Sequence, residues 1–513
     1  MGKTKAGFNR QENRYNMDIR KVLLLCGLAL SCVGMKVSAQ APYDDNETAK
    51  LRRFLMQQSA EPGVRNYQQL GIVHMDSIKW ENFPGLHFNN QTYLLERVSW
   101  AGRNLSGDMD FSGFQALRIM YCAANDIKSV NVYDSPSLMT FDFYENDLYH
   151  VDFSTNTRLD WVRVGYNNLT SLDFSNNPEL KFLCCTHNYV ESLDMSGKEK
   201  LQELLCVGNG LTSLKVDNCV VLSDLLCGHN RLESLSLYNM PRLKKVSCIY
   251  NELEDLSFYN CTSLETVLCD SNRLQTLDFA QFEKLTFVNC SNNEITSLNI
   301  EGCSSLVYLD CESNKIASLD ISESPLLSTL LCGYNSMNFL TLPRPSETLT
   351  SYRYAPQDTV FLDCKYDSID LTHLYAIDDS LTRYTWRYNY TTISPLQNLR
   401  GLFSFDESYI GETFICTMRN NTYPNVVLRY DITLTRDGNV DNVVTEQNVS
   451  SVHASDGYIH IVTPSMALVS VYSMQGNLVM DRTVGEGRSD IPIKRGMYVV
   501  ALNNQESYKV FVR

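Results

Sequence analysis

Cys184, Cys185 and His187 fall within four residues, and Cys227 with His229 repeats the Cys-x-His spacing. Thiolate and imidazole are preferred zinc ligands, and reactive cysteines beside histidine also do redox or nucleophilic work. A structural zinc site, however, needs four ligands converging as a tetrahedron, commonly from closely spaced cysteine pairs. The cysteines here follow a different rule. Cys122, Cys185, Cys206, Cys227, Cys248, Cys269, Cys290, Cys311 and Cys332 all share one phase of a 21-residue interval. Nine equivalent copies exceed what a site requires, and a small, commonly buried hydrophobe explains them without a ligand. Neither a metal nor any other cofactor is expected. His-Glu-x-x-His, Gly-x-Ser-x-Gly, a phosphate-binding loop and a dinucleotide fingerprint are all missing from the sequence, and its 8 histidines are scattered. No enzymatic activity is expected.

The elements that place these cysteines follow from the same interval, since fixed-period self-similarity marks a repeat architecture. An asparagine recurs every 21 residues from Asn125 to Asn335, eleven times without a slip, and the cysteine stands three residues before it. Phe143 and Val164 replace the cysteine in two units, and a leucine lies eight residues before every Asn, from Leu117 to Leu327. The unit reads L-x-x-L-x-C-x-x-N-x-L-x-x-L-D-φ-S, with φ apolar, which matches the leucine-rich repeat pattern. Each unit should lay down one short strand, paired in parallel with its neighbours. Strand alternation sends the residue five before Asn and the cysteine three before it inward. The Asn amide is then interior, placed to satisfy backbone groups of its own and an adjacent coil. A 21-residue coil has no room for a long convex helix, so L-x-x-L-D-φ should form a turn and a second short strand. Residues 117–342 are expected to be this solenoid.

A 21-residue repeat with a cysteine ladder closely resembles the internalin J-like subgroup of bacterial leucine-rich repeat surface proteins. The resemblance implies an N-terminal cap, the repeats and an immunoglobulin-like domain behind them. It also implies adhesion or partner binding at a cell surface, in host attachment or biofilm, in place of catalysis.

The flanks agree with such a layout. Arg20 and Lys21 precede an apolar run from Val22 to Val33, and Val37-Ser38-Ala39 follows with small residues where a signal peptidase cuts. Residues 1–39 read as a secretory signal, too short in its apolar part for a comfortable transmembrane helix. No transmembrane segment is expected in the mature protein. Residues 40–116 read as the cap, with Leu51, Phe54 and Leu55 striping a short helix. Val98-Ser99-Trp100 with Asn104-Leu105 reads as an imperfect first coil, shifted by one residue. Pro343 and Pro345 end the period. In 343–436, Cys364, Trp386 and Cys416 resemble the Cys…Trp…Cys order of immunoglobulin-like sandwiches. That resemblance implies a Cys364–Cys416 disulfide, the alternative being two buried unpaired thiols. Residues 437–447 read as a polar linker. Residues 448–513, with Gly496-Met497-Tyr498-Val499-Val500 and the terminal Tyr508 to Arg513, closely resemble the C-terminal sorting domain of type IX secretion substrates. This implies the type IX secretion machinery as a partner, and an outer-membrane-surface or extracellular destination. The expected fold is therefore mostly β: a leucine-rich repeat solenoid with a helical cap, an immunoglobulin-like β-sandwich and a small C-terminal β-sandwich.

Charge narrows the partners. The chain carries 44 Lys+Arg against 59 Asp+Glu, a net of −15, and loss of residues 1–39 leaves it more acidic still. Nucleic acid is excluded, because its binders need a basic face to displace counterions. The remaining candidate is the outward face of the strand ladder, at positions six, four and two before each Asn. Tyr121, Trp161, Arg163, Phe182, Phe287 and Tyr308 fall there, with Tyr166 and Tyr250 directly before the Asn. Aromatic and Arg anchors on exposed surface mark interaction sites, so these eight residues are the expected ligand-binding set. The ligand is expected to be a protein or cell-surface molecule, with a glycan or a ligand-free structural stalk as alternatives. Truncating such outward residues should change stability by only about 0.5 kcal/mol or less.

Overall fold

A computed structural model describes residues 43–436 and most of 451–512. The signal segment 1–39 and the linker 437–447 lie outside the described residues.

One sheet of 14 strands runs along the repeats. Within the regular repeats its strands are three residues long and advance by one repeat at each step: Glu203, Leu204 and Leu205 pair in parallel with Asp224, Leu225 and Leu226, which pair with Lys245, Val246 and Ser247. The middle residue of each strand points in, as do the leucine eight before the Asn and the cysteine three before it. Every one of those eleven leucines is at most 1 % exposed. On the far side of the coil, Ser192–Asp194 pairs with Ser213–Lys215, Ser234–Tyr238 with Asp255–Tyr259, and Thr276–Asp278 with Ser297–Asn299, all in parallel. The D-φ-S end of the motif is a turn in which the carboxylate accepts a backbone N–H two residues on, as Asp173 Oδ1 does from Ser175 at 2.8 Å.

The asparagine joins each coil to the one before it. Asn167 Nδ2 donates to the carbonyls of Phe143 (2.8 Å), Val164 (3.0 Å) and Gly165 (3.1 Å), and its Oδ1 accepts the N–H of Leu148 at 2.9 Å. The same set recurs at Asn251 and Asn314. The residue before each Asn is left-handed in every regular coil, with φ between 51° and 67°, although only Gly208 among them is glycine. That turn aims the Asn inward and throws the preceding side chain outward.

A second polar column lies ten residues after the Asn. Ser135 Oγ, Cys219 Sγ, Cys261 Sγ and Cys303 Sγ each donate to a carbonyl 24 residues earlier, at 2.7, 3.2, 3.5 and 3.1 Å. Asn156 and Asn177 do the same with their amides. Cys219, Cys261 and Cys303 therefore hold backbone together across coils.

Both ends are sealed. The helix Asp45–Leu55, N-capped by Asp44 Oδ1 on the N–H of Glu47 (2.9 Å), buries Leu51, Phe54 and Leu55. Phe54 stacks on Trp100 at 5.7 Å. The strand Leu95–Ser99 pairs Val98 with Met120, a step of 22, so the irregular first coil is one residue longer and Trp100 takes the place of the cysteine. At the other end the solenoid outruns the expected limit of 342. Ser351–Arg353 adds a further parallel strand, Tyr352 beside Leu330. Tyr354 stands in for cysteine and Gln357 for asparagine, with Gln357 Nε2 donating to the carbonyls of Cys332 (3.0 Å) and Tyr354 (2.7 Å). The two prolines fall in a longer loop, and a glutamine one step out of phase does the work of the Asn, which is why the period looked finished.

Behind this coil, Val360–Lys365, Leu428–Thr435, Thr413–Arg419, Arg383–Tyr388 and Thr391–Ile393 form a five-stranded sheet in that order. Ile369–Asp370, Leu402–Ser404 and Gln397–Leu399 form a second. Trp386 on the first meets Phe403 from the second and Phe405 just after it, each at 5.0 Å. The Cys364–Cys416 disulfide does not form. Cys364 lies opposite Leu434 and Cys416 opposite Tyr430, on either side of the same intervening strand. Two strand spacings and four residues of offset place their backbones well over 10 Å apart, beyond the roughly 7 Å a bridge spans. Residues 451–512 make two further sheets around a core of their own, which includes Ile459, Ile461, Val469, Val471 and Ile491.

Candidate functional site

The ladder cysteines are buried thiols, held away from chemistry by desolvation. Burial raises the Cys227 and Cys332 thiols to about 12, and the other rungs also rise. Cys184 and Cys185 occupy successive strand positions and so point to opposite faces; Cys184 Sγ meets Thr186 Oγ1 at 3.6 Å while Cys185 lies in the core. They cannot converge with His187 on one ion. Among the described residues no group of three or more His, Cys, Asp or Glu is placed to hold a metal.

The outward positions are half-buried because each side chain leans on its counterpart one coil away. Trp161 and Phe182 stack at 5.0 Å with 10° between planes, and Phe287 and Tyr308 at 4.2 Å with 1°. The exact repeat of register produces this, since identical positions on neighbouring parallel strands sit one strand spacing apart. The sequence-based expectation that truncation here leaves packing untouched is corrected accordingly: a stacked partner is lost, worth about 0.5–1.5 kcal/mol.

Arg163 lies between two neighbours in the preceding coil. Its guanidinium is 3.5 Å from Asp142 Oδ2 and 3.8 Å from the centroid of the Tyr144 ring. Tyr144 in turn meets Tyr166 at 5.2 Å, and Tyr166 meets His187 at 4.3 Å. Gly165 makes room for this cluster, because a Cβ there would stand 2.7 Å from Thr186 Oγ1 and 3.0 Å from Tyr144 Cε2. Burial raises the Asp142 carboxyl, with Arg163 pulling it back. Tyr144 was missed among the residues read from sequence, although it sits two before Asn146 in an outward phase.

The expected set is thus brought together in part. Trp161, Arg163, Tyr166 and Phe182 form one patch with Tyr144 and His187, and Tyr121 lies in the same outward column as Asp142 and Arg163, its strand pairing directly with that of Asp142. Phe287 and Tyr308 form a second patch. Five coil steps, about 24 Å, separate Phe182 from Phe287, and the same column carries Glu203, Asp224, Lys245 and Thr266 between them. Tyr250 stands alone of the set in this middle stretch, stacked on His229 at 4.7 Å and 10°. Aliphatic Leu205, Leu226 and Leu268 stand half-buried in the outward column four before the Asn. The acids on this face are desolvated: burial raises Asp270 and Asp310, and Glu203 is raised by burial and by Asp224 beside it.

This geometry defines the class: a leucine-rich repeat β-solenoid with an interior cysteine ladder. No protein-family model matches the sequence, and no curated protein matches it. Among solved structures the chain is similar to the functional domain of InlJ from Listeria monocytogenes, which includes a cysteine ladder, at 18% identity over 66% of this chain and 92% of that one, with a TM-score of 0.36. It is similar to the leucine-rich repeat domain of APL1B at 24% identity over 50% and 78% of the two chains, TM-score 0.40. YopM from Yersinia enterocolitica WA-314 gives 22% identity over 49% and 59%, TM-score 0.38. The assignment of the fold rests on this chain's own strand register.

Proposed function

We propose that this chain is a secreted or cell-surface leucine-rich repeat adhesin that binds a protein partner across the outward face of its strand sheet, in host attachment or biofilm. The observation that carries the reading is the pair of stacked aromatic patches, Trp161 with Phe182 and Phe287 with Tyr308, held at fixed spacing on a rigid sheet. Large rigid side chains pre-ordered before contact are what binding hot spots use, because little entropy is left to lose. Export rests on the signal segment and on the resemblance of residues 448–513 to type IX sorting domains, both read from sequence.

The stacking also weighs against a glycan on this face. Sugars bind aromatic residues through an open ring face. Here each ring of a pair has one face covered by its partner one coil away, which leaves less open ring face for a sugar.

The test uses Trp161→Ala and Phe287→Ala in the full exported chain, with melting and adhesion measured side by side. Stability should fall by about 1 kcal/mol from the lost stack, while binding falls by about 2 kcal/mol or more. Unchanged adhesion in both variants would remove the sheet face as the binding surface and leave the structural-stalk reading.

A further inference from the structure

The five-stranded sheet behind the solenoid turns one face to the core and the other to solvent. Strand alternation sends Trp386, Phe414 and Cys416 inward, where they are at most 2 % exposed. Outward go Arg383, Thr385 and Arg387 on one strand, Thr417 and Arg419 on its neighbour, and Thr392 on the edge strand. No carboxylate stands at an outward position of these three strands. The three arginines are exposed and make no ion pair among the described residues. Arg383 and Arg419 face each other directly across the strand pair. Partners so placed stand about 5 Å apart, and like charges in that position repel and weaken the sheet. The next strand offers no relief, because Asp431 is already closed onto Arg429 by two bonds of 2.7 Å each. On a chain of net charge −15, an acid-free face with two opposed arginines is the reverse of the general surface.

A guanidinium is a planar fork matched to the paired oxygens of a carboxylate or sulfate. Arg383 and Arg387 lie four residues apart on one strand, about 14 Å. A single small anion cannot reach both, so the ligand must carry charge repeatedly along its length. Thr385 lies between these arginines and Thr392 stands opposite Arg387, both exposed. Thr417, opposite Thr385, donates to the carbonyl of Thr385 at 3.4 Å and keeps its oxygen lone pairs for a ligand. The one apolar side chain pointing outward from these strands is half-buried Ile415. A protein partner draws its affinity from buried aromatic and aliphatic anchors, and this face gives it none. Guanidinium forks interleaved with hydroxyls on a flat sheet instead match a chain of hydroxylated rings that bear acid groups.

We infer that the outward face of this sheet, along Arg383, Arg387 and Arg419, binds a linear acidic polysaccharide. The site is separate from the strand ladder of the solenoid and independent of the protein-binding role proposed for that ladder. One acid group of the polymer settles between Arg383 and Arg419 and relieves their repulsion, and another meets Arg387. The hydroxyls of Thr385, Thr392 and Thr417 bond the hydroxyls of the sugar rings.

Calorimetry of the full chain with a heparin dodecasaccharide tests it, against a neutral dextran oligomer of equal length and a glutamate peptide of equal charge. Heparin should bind, and the other two should bind at least about tenfold more weakly. Arg383→Ala with Arg419→Ala should lower heparin affinity about tenfold or more. The melting temperature of that variant should hold or rise, because a like-charge pair is removed. Arg387→Ala alone should also weaken binding, since the polymer spans both positions. Lys315→Ala, which removes a charge elsewhere, and Trp161→Ala, on the strand ladder, should bind heparin as the parent does. Absent heparin binding, or binding untouched by the double variant, overturns the site. Binding indifferent to Arg387→Ala overturns the extended footprint. Equal binding of the glutamate peptide overturns the sugar assignment, because the face would then read charge alone.

Discussion

Cysteine occupies two environments in this solenoid, and they should answer a serine differently. In the main ladder Cys206 is wholly buried with no acceptor for its sulfur among the described residues, so it behaves as a hydrophobe. In the second column Cys219 Sγ already donates to the carbonyl of Met195 at 3.2 Å, at a position where Ser135 and Ser324 place hydroxyls on carbonyls elsewhere. Cys206→Ser buries a hydroxyl without an assured partner and should cost about 1–3 kcal/mol in denaturant unfolding. Cys219→Ser should stay within about 1 kcal/mol of the parent, since the new hydroxyl inherits a bond. Equal losses would show that the hydrogen bond contributes nothing. Reactivity follows from the same burial. The thiolate is the nucleophile, and with Cys227 raised to about 12 and sealed from solvent, alkylation at pH 8 without denaturant should label almost none of the ladder. Rapid native labelling would contradict the packing account.

At the scale of the element, the cap helix Asp45–Leu55 carries a pH dependence. Glu47 is 2 % exposed and its Oε2 accepts the N–H of Leu95 at 2.9 Å. Burial raises its pKa from 4.5 to about 7, with Asp44 adding to the rise and the Leu95 bond opposing it. Between those two values the folded chain holds a proton that the unfolded chain has released. Stability should therefore fall as pH rises from about 4.5 to about 7, by up to about 1.4 kcal/mol per pH unit from this group alone. Glu47→Gln keeps an acceptor for Leu95 and removes the titration, so this part of the slope should vanish in pH-resolved melts. A slope that survives the substitution would place its origin elsewhere. The aromatic ladder is also an element-scale effect: a stack exists only because two coils hold the same register.

For the whole molecule, the decisive feature is where cores join. The cap, the solenoid and the sheets of 360–435 share one continuous hydrophobic cluster, whereas 451–512 has its own. Tyr423 carries the junction. It is fully buried, stacks on Phe339 at 6.2 Å, meets Tyr354 at 5.7 Å, and donates its hydroxyl to the carbonyl of Leu342 at 2.8 Å. An open solenoid end would expose core and strand edge, so the sandwich serves as the second cap. Residues 43–436 should then melt in one transition and 451–512 in another. Tyr423→Ala should cost about 3–5 kcal/mol and lower the first transition alone. Separate melting of the solenoid and the sandwich would show that the junction does not couple them.

The amino-acid sequence by itself determined the solenoid, because a strict 21-residue period forces every coil to repeat one geometry. The inward leucines, the buried cysteines and the asparagine bonds follow from that period and from strand alternation, whereas the expected second short strand forms in seven of the eleven regular coils. It was silent wherever contact depends on what lies one coil away or beyond the repeat. Tyr144 under Arg163 and the ring stacks that half-bury Trp161 and Phe287 come from side chains on neighbouring coils meeting in space. The final coil escaped notice because Tyr354 and Gln357 keep the bonding pattern while breaking the spacing. The misplaced disulfide has the same root: the order Cys, Trp, Cys says nothing of which sheet each strand joins. Only the tertiary structure set Cys364 and Cys416 on one sheet with a strand between them, because strand pairing is fixed by long-range packing that local sequence does not encode.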